Sequence, residues 1–420
     1  MKKIAVITSG LLPMPAVKDG AIEMLLQYTL DYNEINKNFN FDVFSIYDSS
    51  ANLKSCEYRN TSFKYIKINK FFNLIYYNLC RIFRKFGFYD PNFQYIYIKK
   101  VLKLLKKEKY DYIIIESDNH FAYHVLKNKI APTILYLHND KLNTKTKNGK
   151  YIISNLFKVF TVSNFLKSKV LTLGDEYKEK VSVILNGMDL KKFDTSNYQE
   201  FNEVYRKKLE ISENEFVFLY VGRIEPNKGA LELIKAFNKI EKSSTLIIIG
   251  GSFHSSNKSS KYCQMTFAEA NKNHKNKIIF TGYVKHSELK YYHAVANSLV
   301  VPSMWEEPAG LVNIEAIKSN LILIASNVGG IPEYTNKDTI LVDRNDNFIE
   351  NLYNAMNNAM NMKTDNKNLD NSSINYFSKE EYCKRYFATL NEVIKKWKLL
   401  LLLLDYYLYQ LVKVELLKHY

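Results

Sequence analysis

What most constrains this chain is a series of short apolar runs, rich in β-branched and aromatic residues and separated by amphipathic stretches. One set comprises Ile4–Thr8, Phe41–Tyr47, Tyr112–Glu116, Thr133–Leu137, Val159–Val162 and Val181–Leu185. A second comprises Phe216–Val221, Leu246–Ile249, Ile278–Phe280, Leu299–Val301, Leu321–Ala325 and Ile340–Val342. Runs that are unbroken rather than alternating predict parallel strands covered on both faces. The stretches Glu23–Leu30, Ile98–Lys107, Leu231–Ile240 and Asn313–Lys318 have helical patterning and complete βα units, so the fold class is α/β. Two series imply two doubly wound, Rossmann-like domains, which suits a length of 420 residues. The expected limits are 1–195 and 196–375, with 376–420 as a helical tail. The join falls near 190–212, where Lys191-Lys192-Phe193-Asp194 leads into a polar segment. The Asn-, Asp- and Ser-rich stretch 358–373 reads as a solvated linker.

Several classes are excluded early. With 46% hydrophobic residues, 14 Gly and 8 Pro, the chain is neither collagenous nor disordered. Cys56, Cys80, Cys263 and Cys383 are far apart and show no zinc-ligand spacing, which points to a reducing compartment. Met1-Lys2-Lys3 precedes an apolar run too short for a signal peptide and better read as a first strand. No run approaches the ~18 apolar residues of a membrane span. No G-x-G-x-x-G or G-x-x-x-x-G-K-[ST] follows a strand, which disfavours a standard NAD enzyme or P-loop NTPase. There is no D-x-D pair to hold a metal-bound nucleotide, so neither a metal nor a cofactor is expected.

In open α/β sheets ligands lie beyond the C-terminal ends of the strands, so residues just after the apolar runs carry the functional signal. After Phe216–Val221 come Gly222, Arg223, Lys228 and Gly229. Arg as a planar fork and Lys as a point charge suit a diphosphate, although single loop cations are also ordinary in a Lys-rich chain. Ile248-Ile249-Gly250-Gly251 is a second strand ending in glycines. Third, Val301 to Ala316 places Glu307 and Glu315 eight residues apart across a strand, loop and helix, with Gly310 where a helix would begin. Backbone N–H groups at such a helix start form an anion site, and the two acids can reach sugar or ribose hydroxyls. The same acids can instead be solvated helix-start residues that favour the dipole.

Taken in this order the three segments resemble the retaining GT-B glycosyltransferases of the family-4 type, the glycosyl transferases group 1. The match rests on G-R-x-x-x-x-K-G, on I-G-G and on Glu307-x7-Glu315. It is supported by Val162-Ser163-Asn164-Phe165, Asn186-Gly187-Met188-Asp189 and Val328-Gly329-Gly330-Ile331-Pro332-Glu333, and it spans roughly 4–345. The resemblance implies two domains facing across a cleft, and a sugar transferred with retention from a nucleotide diphosphate, UDP- or GDP-linked. Arg223 and Lys228, with Gly222 and Gly250 beside them, would bind the donor diphosphate, and Glu315 the ribose. Glu307, with the backbone of Ala309, Gly310 and Leu311, would contact the sugar and phosphate. Gly20 would approach the diphosphate from the first domain, and His138 would stand near the reacting carbon. Catalysis would then fall to His138, Glu307, Arg223 and Lys228. Two departures stand out: Asp19-Gly20 replaces a double glycine, and Ala309 replaces an aromatic. The loop Pro13–Glu23 looks more like that of spore-coat and surface-polysaccharide members.

Of the +16 formal charge, much sits in 51–110, where fourteen Lys and Arg face Glu57, Asp90 and Glu108. Phe71, Phe72, Tyr76, Tyr77, Phe83, Phe86, Phe88 and Tyr89 are interleaved. Such a surface suits an anionic membrane, and hence a lipid-linked or glycan acceptor met at the cytoplasmic leaflet. The alternative is compositional, since Lys and Tyr abound throughout the chain. The tail from Lys396 to Tyr420 holds six leucines beside Trp397, Tyr406, Tyr407 and Tyr409. It reads either as a helix packing back on the first domain or as a shallow interfacial anchor. A nucleic-acid-binding protein and a sugar-nucleotide epimerase or phosphorylase are the rival classes. The charge is too localised for the first, no recognised module is present, and the others leave Glu307 and Glu315 unexplained, so nucleic acid is not an expected partner.

Overall fold

The computed structural model describes residues 1–18, 20–68, 93–193, 198–251, 260–362, 369, 371–396 and 399. The rings from Phe71 to Tyr89, and the tail beyond 396 apart from Leu399, lie outside the described residues. Among the described residues no helix is long and apolar enough to cross a membrane.

The first sheet contains β1 (Lys3–Ile7), β2 (Asn40–Ile46), β3 (Thr61–Ile66), β4 (Tyr112–Glu116), β5 (Thr133–Leu137), β6 (Lys158–Thr161) and β7 (Val181–Val183). The second contains β8 (Phe216–Val221), β9 (Ser244–Ile249), β10 (Lys277–Gly282), β11 (Ser298–Val301), β12 (Ile322–Ser326) and β13 (Ile340–Val342). The orders are β3-β2-β1-β4-β5-β6-β7 and β10-β9-β8-β11-β12-β13. Every pairing between these strands is parallel. β3 escapes a search for unbroken apolar runs because Thr-Ser-Phe-Lys-Tyr-Ile is an edge strand whose middle is only half covered.

Covering on both faces explains the continuous apolar runs. In the second domain Phe216, Phe218 and Tyr220 enter one core, and Val217 and Leu219, alternating with them along β8, enter another. The helix Phe348–Asn361 takes up the beginning of the Asn-rich stretch. Leu352, Ala355, Met356, Ala359 and Met360 recur at helical spacing and are buried, so apolar periodicity outweighs the polar composition.

A helix over 379–396 returns to the first domain and buries Tyr382, Tyr386, Phe387, Leu390, Val393 and Ile394 in its core. At the crossing the outbound and returning backbones are paired: Met188 N donates to Phe377 O at 2.9 Å, and Lys379 N to Met188 O at 2.8 Å. Gly187 makes this approach possible, since a Cβ there would lie 2.6 Å from Ser378 O.

Each strand order reverses once, between β1 and β4 and between β8 and β11. A crevice opens at such a switch point, beyond the carboxyl ends of the strands. The loops after β1, β4 and β5 of one domain thereby meet those after β8 and β11 of the other.

Candidate active site

The wall from the second domain is built by backbone contacts that exclude side chains. Gly250 has φ +135°, and a Cβ on it would lie 1.9 Å from Gly222 O, so the loops after β8 and β9 touch. Gly229 has φ +72°, and a Cβ there would lie 1.9 Å from Pro302 O. This closeness joins the loop after β8 to that after β11, and Met304 N donates to Asn227 O at 3.0 Å. Lys228 Nζ consequently reaches Glu307 Oε1 at 2.8 Å, with Ser303 Oγ donating to the same oxygen and the Trp305 ring 5.8 Å from the ammonium. The helix Leu311–Lys318 starts immediately after Gly310. Glu315, in its second turn, is buried; its Oε1 lies 3.2 Å from His286 Nε2. Its Oε2 is buried and takes no hydrogen bond among the described residues, an unsatisfied acceptor behind the cavity lining.

The opposite wall comes from the first domain. His138, just past β5, places Nε2 3.0 Å from Glu116 Oε2, with side-chain exposures of 6% and 3%. Glu116 ends β4, so the pair spans two adjacent strands. Glu23, on the helix Ala21–Asn36, is also buried there. Burial raises its carboxyl above the ordinary value, and the nearby Glu116 charge pushes in the same direction. Gly20 caps that helix from an extended backbone, and a Cβ on it would lie 2.5 Å from Leu12 Cδ1.

Between the walls is a cavity of about 250 Å³. Of the residues named from sequence, His138, Lys228, Glu307, Ala309, Gly310 and Leu311 line it. Gly20 precedes Ala21 and Ile22, which also line it. Gly222 and Gly250 form the layer behind. Arg223 stands outside this lining, half exposed, with its guanidinium 2.8 Å from Glu225. Sequence reasoning missed Glu116, Glu23, Ser303 and His286. For Glu116 a usable signal existed, because it is an acid closing an apolar strand, the position rule that selected His138. Among the described residues no group of three or more His, Cys, Asp or Glu is placed to hold a metal ion.

The supporting motifs do different work. Glu333 accepts from Asn164 N at 2.7 Å and Phe165 N at 2.9 Å, satisfying the start of the helix Asn164–Leu171 across the domain boundary. Tyr334 OH donates to Val162 O at 2.6 Å and accepts from Asn186 N at 2.8 Å. Lys169 pairs with Glu306 at 2.7 Å. Gly330 N donates to Glu307 O at 2.7 Å, so this seam also fixes the segment that carries Glu307.

Residues 201–376 match the family described as glycosyl transferases group 1. Residues 201–376 form a glycosyl transferases group 1 domain. Over 342 residues the chain is 28% identical to the putative glycosyltransferase YtcC of Bacillus subtilis (strain 168), covering 78% of this chain and 75% of that protein. It is 26% identical to spore coat protein SA of the same organism over 345 residues, 79% of this chain and 82% of that one. A glycosyltransferase from Rickettsia africae ESF-5 superposes with a TM-score of 0.71 at 20% identity, covering 94% of this chain and 99% of that chain. Anabaena HepE, solved in complex with UDP and glucose, does so with a TM-score of 0.69 at 18% identity, over 93% and 100%. The fold is GT-B, and the chain stands among the glycosyltransferases.

Proposed function

We propose that the protein transfers a sugar, with retention and without a metal, from a nucleotide diphosphate to a glycan or lipid-linked acceptor at the cytoplasmic side of a membrane. One observation carries this reading: a single interdomain cavity combines the Lys228–Glu307 pair and a helix start on one wall with His138 on the other. The unsatisfied Glu315 Oε2 supports a ribose contact. The complexes of Anabaena HepE with UDP and with UDP-glucose support uridine as the nucleotide.

The acceptor hydroxyl attacks the anomeric carbon on the face that the diphosphate leaves. The bond from that carbon to the phosphate oxygen breaks, a new carbon–oxygen bond forms, and the hydroxyl proton passes to the departing phosphate. Lys228, Arg223 and the amides opening the helix Leu311–Lys318 offset the charge that grows on the diphosphate. His138 and Glu307 orient the sugar, so positioning supplies much of the rate.

The test is a panel of UDP and GDP sugars incubated in EDTA, with nucleotide diphosphate release followed with and without membrane lipid extract, and the anomer of the product read by NMR. UDP release that rises with extract and yields the donor's own anomer is expected. Inverted product, dependence on a divalent cation, or conversion of the donor without an acceptor, as by an epimerase, would refute it.

A further inference from the structure

The carboxylate of Glu315 is held from one side only. Its Oε1 lies 3.2 Å from His286 Nε2 and its Oε2 takes no hydrogen bond, so His286 is its one side-chain partner among the described residues. We propose that His286 is a positioning residue: it fixes the plane of that carboxylate so that Oε2 meets the ribose of the donor nucleotide. The inference rests on the transfer reading above, in which Glu315 binds the ribose, and adds the residue that aims it.

What the pair leaves undone is the first argument. A buried carboxylate oxygen without a donor is costly, so a pair that served stability alone would satisfy both oxygens. Glu315 stands behind the cavity lining, to which its own helix contributes Leu311 and Val312. The last torsion of a glutamate side chain is broad and roughly two-fold, so the chain itself does not choose which way the two oxygens face. A donor fixed on Oε1 makes that choice before the nucleotide arrives, which lowers the ordering cost of binding.

The way His286 is itself held is the second. It lies four residues beyond β10, an edge strand, yet it reaches a helix that follows β11, two strands further into the sheet than β9. Phe193, buried in the helical turn Leu190–Phe193 on the segment joining the two sheets, stands edge-on to the imidazole with ring centroids 5.7 Å apart. The same phenyl ring packs 5.0 Å from buried His293, whose Nδ1 lies 2.9 Å from Ser319 Oγ at the end of the Glu315 helix. One aromatic ring therefore backs both the histidine at the acid and the histidine at the helix end, and the imidazole and the helix share a support. The side chain of His286 is 40% exposed against 7% for Glu315, so the imidazole also covers the carboxylate on its solvent side.

The experiment compares UDP with 2′,3′-dideoxy-UDP, which keeps the base and the diphosphate but lacks both ribose hydroxyls. Calorimetry is run on wild type, His286→Ala, His286→Asn and His286→Gln. Wild type should bind UDP the more tightly. His286→Ala should weaken UDP about tenfold, while the dideoxy compound keeps its wild-type affinity. His286→Gln, whose amide nitrogen reaches the place of Nε2, should recover most of the loss, and His286→Asn, one bond shorter, none of it. If His286→Ala fails to fold by circular dichroism, the asparagine and glutamine variants decide between the same outcomes. Equal weakening of both nucleotides marks a merely structural role and overturns the proposal. So does a wild type indifferent to the ribose hydroxyls, or a full preference for UDP retained in His286→Ala or His286→Asn. Those results leave sugar transfer itself standing; a wild type that binds neither UDP nor GDP strikes the transfer reading, and this proposal with it.

Discussion

Replacing Glu116 tests whether the buried carboxylate positions His138. Its Oε2 lies 3.0 Å from His138 Nε2, and both side chains are nearly sealed from solvent. The ring also lines the cavity, and the hydrogen bond to Glu116 fixes its orientation there. A hydrogen bond to a charged group contributes about 1.5–3 kcal/mol and a neutral one about 0.5–1.5, so Glu116→Gln should weaken the restraint by roughly 1–1.5 kcal/mol. If the ring orientation is used in the transition state, kcat should fall roughly five- to tenfold, since 1.4 kcal/mol is about tenfold. Glu116→Ala removes the partner altogether and leaves a buried ring N–H unsatisfied. The loss should then reach about a hundredfold. The donor KM should change less than kcat, because the diphosphate and ribose contacts lie mostly on the other domain. The assay is steady-state UDP release with kcat and KM separated, alongside the ¹⁵N shifts of His138. Full kcat in Glu116→Ala, or an unaltered His138 tautomer in both variants, would refute the reasoning.

Glu315→Gln should weaken uridine nucleotide binding about tenfold by calorimetry, because it removes charge from a buried, unsatisfied acceptor. Lys228→Ala should cut kcat on the order of a hundredfold while leaving Glu307 without its ammonium partner, and Glu307→Gln in the same background should restore none of it. Gly250→Ala should lower the thermal midpoint, with at least about 2 kcal/mol lost, since a Cβ 1.9 Å from Gly222 O forces two loops apart. Glu23 has a folded-state carboxyl raised above its unfolded value, so its burden on the fold is absent below the unfolded pKa and grows as pH rises through the folded one. Glu23→Gln should therefore be the more stable protein at neutral pH in urea titrations, with the advantage vanishing in acid.

Both Rossmann-like sheets were legible because their strands are sealed on two faces, which removes alternation and leaves runs such as Tyr112-Ile113-Ile114-Ile115. β3 was not, because an edge strand has the mixed pattern of a loop. The site was legible where one local rule applies, residues just past a strand end, which gave His138, Lys228 and Glu307. Glu116 carried that signal too, as an acid ending an apolar strand, but its role exists only through a partner on the neighbouring strand, which no local rule reveals. Glu333 and Asn164 are 169 positions apart, and no local pattern announces that one satisfies the other's amide. Motifs such as Val328 to Glu333 support the family likeness, yet their contacts here join the domains. For the basic aromatic segment, only its flanks at 51–68 and 93–110 are described.

The paired backbones at Met188 and Phe377 to Lys379 have a mechanical consequence. Both tethers between the lobes cross at one place, side by side, so they form a flat strap instead of two separate cables. Rotation about that strap would spare both sheets but would have to break the Glu333 contacts to Asn164 and Phe165. A single protease cut in one tether would leave the lobes attached through the other.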